Sequence, residues 1–155
     1  MPTDQEYAML IDLFIRLVES QAGQKIEHGA EWMNDAQVLS IKLFRHLVSM
    51  QTLAAGATVA QNGVPTVTFV DHGSVMVVAR AALETYLVFF YLYGCPDRSV
   101  SEFRHKAWCL AGLAERQGVH ASTHEHRAQL AAENQRIEQL RSEISASPHF
   151  LSAIV

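Results

Sequence analysis

The chain has 155 residues, of which 49% are hydrophobic and 18% are charged, and its formal net charge at pH 7 is −4. The length predicts a single domain, residues 1–155, that buries enough surface to fold without a disulfide or a metal. The acidic balance argues against nucleic-acid binding through bulk electrostatics, because such domains are usually basic.

The termini and the cysteines bear on the cellular compartment. The first residues, MPTDQEYAMLIDLF, lack the basic region and the cleavage site of a secretory signal. Cys95 and Cys109 are isolated thiols outside any CxxC pair, which is typical of a reduced, cytoplasmic protein. The C-terminus is apolar to its last residue, which favours a chain truncated from a longer protein. These terminal apolar residues are Pro148, Phe150, Leu151, Ile154 and Val155.

The first half of the chain predicts two helices followed by a loop. Apolar residues recur at three- and four-residue steps over residues 4–22 and again over residues 30–55, with glycines at the breaks. Residues 56–70 contain turn-forming glycines and a proline beside β-branched residues. They predict a loop with one extended piece, and no sheet, because no partner strand is evident.

The third predicted helix, residues 71–93, is the most apolar part of the chain. Asp71 is a suitable N-cap, and Gly94 and Pro96 stop the helix. Apolar side chains surround its axis, which predicts a central helix on which the others pack. Its uncharged part after Glu84 is too short to cross a bilayer, so no membrane span is predicted.

Two further helices are predicted, at residues 99–117 and 122–144. The last one carries a narrow apolar seam on an otherwise charged helix, which favours a coiled-coil-like hairpin with the fourth. The seam consists of Leu130, Ile137, Leu140 and Ile144. The predicted fold is therefore an all-α, roughly five-helix antiparallel bundle with a central apolar helix and a long C-terminal hairpin.

Apart from His72, Arg80 and Glu84 are the only basic and acidic residues between Asp71 and Asp97, and their spacing places them on one helix face. A charge in such a setting is costly unless it is paired. One interpretation is a buried ion pair that ties the helix to its neighbours. The other is a polar site in an apolar pocket, with Arg80 binding an anion and Glu84 acting as acid, base or ligand orienter.

The histidines and Cys109 suggest a metal site only weakly. His105, Cys109, His120 and His124 flank the turn at Gly118, so four zinc ligands could meet there, but their spacing matches no standard pattern. The alternative is a solvated, histidine-rich helix junction. No resident metal and no cofactor are predicted.

A further motif is the Arg-x4–6-His spacing of HEPN-type ribonucleases, which are also helical bundles. Arg98 and His105 fit it with six residues between them. In a chain with this many arginines and histidines, a chance match is expected.

The run FVDHGSVMVVARAALETYLVFFYLY at residues 69–93 resembles the uncharacterised bacterial all-helical proteins of the DUF5677 type. Their shared "aRa-lE-yl-f-Yl" helix is similar to the segment around Arg80 and Glu84, and a downstream Arg helix is similar to Phe103-Arg104. A later "lr-eI-spF" pattern is similar to residues 140–150. The resemblance implies a helical fold in a longer protein, implies no activity, and directs attention to Arg80, Glu84 and Arg104.

Two functions follow as hypotheses. The first is a non-enzymatic helical interaction or structural module that binds a protein partner, or a second copy as a homodimer, through helix faces. The second is a HEPN-like nuclease or other hydrolase of a bacterial conflict system, with Arg80, Glu84, Arg104 and His105 as its candidate catalytic residues.

Overall fold

The computed structural model describes residues 4–150, so Leu151, Ile154 and Val155 of the predicted truncated end lie outside the described residues. Within this range the all-α class is confirmed, with five α-helices and one small sheet. The elements are α1 (Asp4–Gln21), a 3-10 turn (Glu31–Met33), α2 (Asn34–Ala54), β1 (Ala57–Gln61), β2 (Val64–Phe69), α3 (His72–Tyr93), α4 (Arg98–Arg116) and α5 (His124–Ser145).

The chain divides into two compact units, one ending at Phe90 and the other beginning at Tyr91. The first unit contains α1, α2, the two strands and most of α3. The second contains the end of α3 with α4 and α5. The single domain expected over residues 1–155 stays a prediction.

In the first unit, α1 and α2 pack against each other in antiparallel directions. The Tyr7 hydroxyl donates a 2.8 Å hydrogen bond to the Leu47 carbonyl, and burial raises the Tyr7 pKa. Farther along α1, the Phe14 ring stacks on Phe44 with centroids 5.7 Å apart. The contacts of α1 therefore run through Tyr7 and Phe14. Most of its predicted apolar stripe is more than half exposed, namely Met9, Leu10, Leu13 and Leu17, so the predicted periodicity marks the contact face only in part.

The segment between α2 and α3 is an antiparallel hairpin, so the prediction of no sheet is wrong. Asn62 and Gly63 have φ values of 53° and 77°, and they join Gln61 directly to Val64. Positive φ at both loop residues is the type I′ geometry, which matches the twist of paired strands and favours Asn-Gly. Asn62-Gly63 is thus the turn that brings in the partner strand that the sequence did not show.

Helix α3 begins as the sequence predicts, with Asp71 as its cap. One Asp71 carboxylate oxygen accepts from the Ser74 amide at 3.1 Å and the other from the Ser74 hydroxyl at 2.6 Å. These bonds hold the Asp71 pKa below its usual value. The helix is not enclosed on all sides as expected, because several of its large apolar residues, such as Met76 and Leu87, are more than half exposed. Its buried positions are Ala82, Thr85 and Leu92.

In the second unit, α4 and α5 form the predicted antiparallel hairpin. The seam residues Ile137, Leu140 and Ile144 are buried. Two ion pairs cross the hairpin, from Lys106 Nζ to Glu143 Oε2 at 3.1 Å and from Arg116 to Glu133 at 3.1 Å.

Candidate functional site

Arg80 and Glu84 lie on the exposed side of α3 and pair with each other. Arg80 Nε donates to Glu84 Oε1 at 2.8 Å, and the two side chains are 81% and 62% exposed. The interpretation of this pair as a buried tether is therefore not met in this structure. The physical reason is that Ala82, between them in sequence, and Thr85, directly after Glu84, occupy the buried side of the helix, which turns Arg80 and Glu84 outward.

The residues around this pair form a continuous apolar surface, here named the α3 stripe. Five large apolar members are between 54% and 70% exposed, and all belong to the first unit. The stripe consists of Gly73, Met76, Val77, Arg80, Leu83, Glu84, Leu87 and Phe90. Its two charged residues lie near its midpoint. They therefore lie on a surface that is exposed, whereas the apolar composition of the helix predicts that it is buried.

Arg104 has a structural role in the second unit. Its guanidinium carbon lies 4.7 Å from the centre of the Tyr91 ring, and Nη1 donates to the Tyr91 carbonyl at 3.0 Å. A cation above an aromatic face and a bond to a helix-end carbonyl both stabilise the junction of α3 and α4. Arg104 thus holds the end of α3.

His105 is buried on α4 among aromatic rings. Its ring lies 6.4 Å from that of Tyr93 and 6.0 Å from that of Trp108, measured between centroids. Its Nε2 atom is 3.7 Å from Cys109 Sγ, one helical turn farther on. Arg98, the other half of the Arg-x6-His motif, is the first residue of α4 and is exposed. The two residues of the motif thus differ in exposure, with the His105 imidazole buried and the Arg98 guanidinium exposed.

The four candidate zinc ligands are not brought together. His120 is an exposed residue of the segment between α4 and α5, and His124 is the exposed first residue of α5. Within the described residues of the second unit, no three of His105, Cys109, His120 and His124 come within common ligand distance. The His105 and Cys109 donors are close because they are one turn apart on α4, and the turn at Gly118 does not add the other two.

A groove of about 800 Å³ lies in the first unit, at the C-terminal part of α1 and the start of α2. Phe14, Leu17 and Val18 line one side, and Phe89 reaches it from α3. The four predicted catalytic residues are not among the groove's lining residues. Its acidic lining residue, Glu31, is paired with His28 at 3.3 Å. The groove therefore does not contain the predicted set of catalytic acid and base residues.

One polar cluster was not found from the sequence. At the start of α4, Asp97 Oδ1 accepts from the Ser99 hydroxyl at 2.7 Å and from the Ser99 amide at 2.9 Å, which lowers the Asp97 pKa. The Ser99 hydroxyl also lies 2.9 Å from His149 Nε2. The Asp-x-Ser spacing is a sequence pattern typical of a helix N-cap. His149 lies fifty residues after Ser99, and no sequence pattern indicates that it contacts this cap.

Comparison with family models, curated proteins and solved structures gives no match for this chain. The resemblance to DUF5677-type proteins therefore stays a prediction. Among residues 4–150, one helix, His72–Tyr93, is long and apolar enough to cross a membrane. Core helices of soluble proteins pass the same test but are mostly buried, whereas 17% of this apolar stretch is buried. The finding concerns length and composition alone.

Proposed function

We propose that the protein is a non-enzymatic helical interaction module whose binding face is the α3 stripe. The observation that carries the proposal is the exposure of its large apolar side chains, from Met76 at 69% to Phe90 at 58%, on one face of one helix. Contiguous apolar surface of this kind is uncommon on a free monomer and marks sites where another molecule binds.

The spacing of the stripe supports a helix as the bound element. Residues at three- and four-residue steps form the narrow seam by which one helix packs against another. The exposed Arg80–Glu84 pair keeps this seam soluble while it is free, and it gives the surface a polar mark that can select partners.

Contacts at the other candidate residues also support a module over an enzyme. Arg104 is engaged by Tyr91, and His105 lies among aromatic side chains. Neither residue lines the groove of the first unit. A general acid or base must reach the proton that it transfers.

The proposal is tested by photo-crosslinking in cells that express the chain. A photoreactive amino acid replaces Leu87 in the stripe, and in a matched control it replaces the exposed Gln51 of α2. We expect a protein adduct from position 87 that is absent from position 51 and that disappears when Leu83→Lys is added. Equal adducts from both positions, or none from position 87, would contradict an interaction role for the stripe.

A nuclease assay tests the alternative directly. Purified chain is incubated with a single-stranded RNA probe, alongside His105→Ala and Arg104→Ala variants whose helicity is checked by circular dichroism. We expect no cleavage above background. Cleavage that both variants abolish without unfolding would replace the module with the HEPN-like alternative.

A further inference from the structure

The stripe has the spacing of a coiled-coil seam over its full length. Its central line advances by alternating three- and four-residue steps, which keeps one narrow surface facing a second helix. These positions are Gly73, Met76, Arg80, Leu83, Leu87 and Phe90. From Gly73 to Phe90 the line extends about 26 Å along the helix axis, at a rise of about 1.5 Å per residue.

The order of side-chain sizes along this line fits a second copy of α3 running in the opposite direction. When the midpoint between Arg80 and Leu83 is placed on a two-fold axis, Gly73 lies opposite the other copy's Phe90. Met76 then lies opposite Leu87, and Arg80 opposite Leu83. The smallest position thus faces the largest, as close packing between helices requires.

The charges select the same direction. In an antiparallel pair on this axis, Arg80 lies opposite the other copy's Leu83, and Glu84 is the next residue. Because adjacent residues differ by about 1.5 Å along a helix axis, Arg80 and the other copy's Glu84 lie about 1.5 Å apart in height along that axis. Each copy supplies one positive and one negative charge, so two attractive contacts form by symmetry. In a parallel pair, Arg80 would face Arg80 and Glu84 would face Glu84, which is repulsive.

We infer that the α3 stripe binds a second copy of this chain, α3 against α3 in antiparallel orientation, with Arg80 of each copy beside Glu84 of the other. This inference rests on the proposed interaction role of the stripe and adds its partner. The self-complementary charges favour a second copy over a lipid bilayer, where both charges would have to leave water near the midpoint of the helix.

Sedimentation velocity of the full chain, over a range of concentrations, tests the partner. We expect a monomer–dimer equilibrium whose Kd rises about tenfold or more in Arg80→Glu and in Glu84→Arg, since each creates two like-charge contacts. Mixing the two variants restores association, because the contacts become attractive again, and this recovery excludes misfolding as the cause. The control is Arg16→Glu on α1, where Arg16 forms an exposed i, i+4 pair with Asp12 at 2.9 Å; it leaves the Kd unchanged.

Disulfide trapping tests the direction, in a chain with Cys95→Ser and Cys109→Ser. We expect a mixture of Met76→Cys and Leu87→Cys chains to form a disulfide-linked heterodimer, whereas Met76→Cys alone stays unlinked. Efficient linking of Met76→Cys to itself would overturn the antiparallel arrangement in favour of a parallel one.

Three outcomes would overturn the inference, and the crosslink at position 87 separates its failure alone from a failure that includes the proposed function. A chain that stays monomeric while position 87 still crosslinks to a different protein would refute the second copy and leave the interaction role standing. Stripe-dependent flotation of the monomer with phosphatidylcholine vesicles would assign the surface to a membrane. A monomer without any adduct from position 87 would remove both proposals.

Discussion

The seam of α5 and the stripe of α3 use the same spacing and have opposite surroundings. On α5, a helix covered with charges, Leu140 is 1% exposed and Ile137 4% exposed. On α3, a helix with one ion pair, Leu87 is 54% exposed. The difference teaches that hydropathy does not determine burial. Helix α5 is covered because the connection after α4 returns the chain against α4, whereas residues 4–150 place no comparable cover on the α3 stripe.

The ion pairs of the two regions follow the same contrast. Lys106 lies between Glu102 on its own helix, at 2.9 Å, and Glu143 on α5, at 3.1 Å, with all three side chains at most 40% exposed. Arg80 and Glu84 pair within one helix and are mostly exposed. The first arrangement joins two helices, and the second leaves its charges accessible to a partner.

The largest expected effect comes from truncating the two leucines. Leu140→Ala removes a fully buried side chain and should lower the free energy of unfolding by about 3 kcal/mol. Leu87→Ala should change it by less than about 0.5 kcal/mol under dilute conditions where the chain is monomeric. Urea denaturation measures both, and similar losses for the two variants would break the comparison.

The helix caps provide the next largest effect. The Thr123 hydroxyl accepts a bond from the His126 amide at 3.1 Å, so Thr123→Ala should cost about 1 kcal/mol by loss of the α5 cap. Thr123→Ser is the matched control, because it keeps the hydroxyl. Thermal unfolding followed by circular dichroism distinguishes them, and an unchanged melting temperature in Thr123→Ala would show that α5 does not depend on this cap.

Double-mutant cycles on the two ion pairs should give smaller energies. For Lys106→Met with Glu143→Gln we expect a coupling of about 0.7 kcal/mol, since the pair is partly shielded and joins two helices. For Arg80→Met with Glu84→Gln in the monomer we expect about 0.3 kcal/mol, as for an exposed i, i+4 pair. A reversed order would mean that α3 is more enclosed in solution than in this structure.

The smallest expected effect is on the free energy of unfolding at low pH. A hydrogen bond from Lys106 holds the Glu143 pKa below its ordinary value of 4.5. The stability from this lowered pKa is fully present above the unfolded value, and it is lost as pH falls through the lower folded value. Wild-type stability should therefore decline below about pH 4.5, and Glu143→Gln should decline less. Glu84→Gln is the exposed control, and an equal flattening there would contradict the assignment.

The helical framework could be predicted from the sequence because its determinants are local. The cap at Asp71 and the glycines at chain breaks fix where helices begin and end, and each predicted helix lies within a few residues of its observed bounds. The α4–α5 hairpin was predictable because a short connection forces the two seams together. These features depend on neighbours within one turn or one loop.

What could not be predicted depends on geometry that polarity does not encode. On α3, Ala82, Thr85 and Leu92 are buried, whereas apolar residues such as Met76 and Leu87 face outward. A hydropathy pattern does not register which apolar residues of such a helix are covered. Arg80 and Glu84 are the residues whose charge indicates the exposed face of the helix. The apolar residues around them favour a buried pair instead. The partners of Arg104 and His149 are tertiary and left no sequence signal.

The hairpin of β1 and β2 determines where the chain is expected to be cut first by a protease. All eleven strand residues are exposed, and a two-stranded sheet without a covered face is only marginally stable. Its strands should exchange amide hydrogens faster than α5, and limited proteolysis should nick the chain near Asn62-Gly63. Such a nick would break the covalent link between the segment with α1 and α2 and the segment with the α3 stripe. The same site can be used to divide the molecule into two fragments for study.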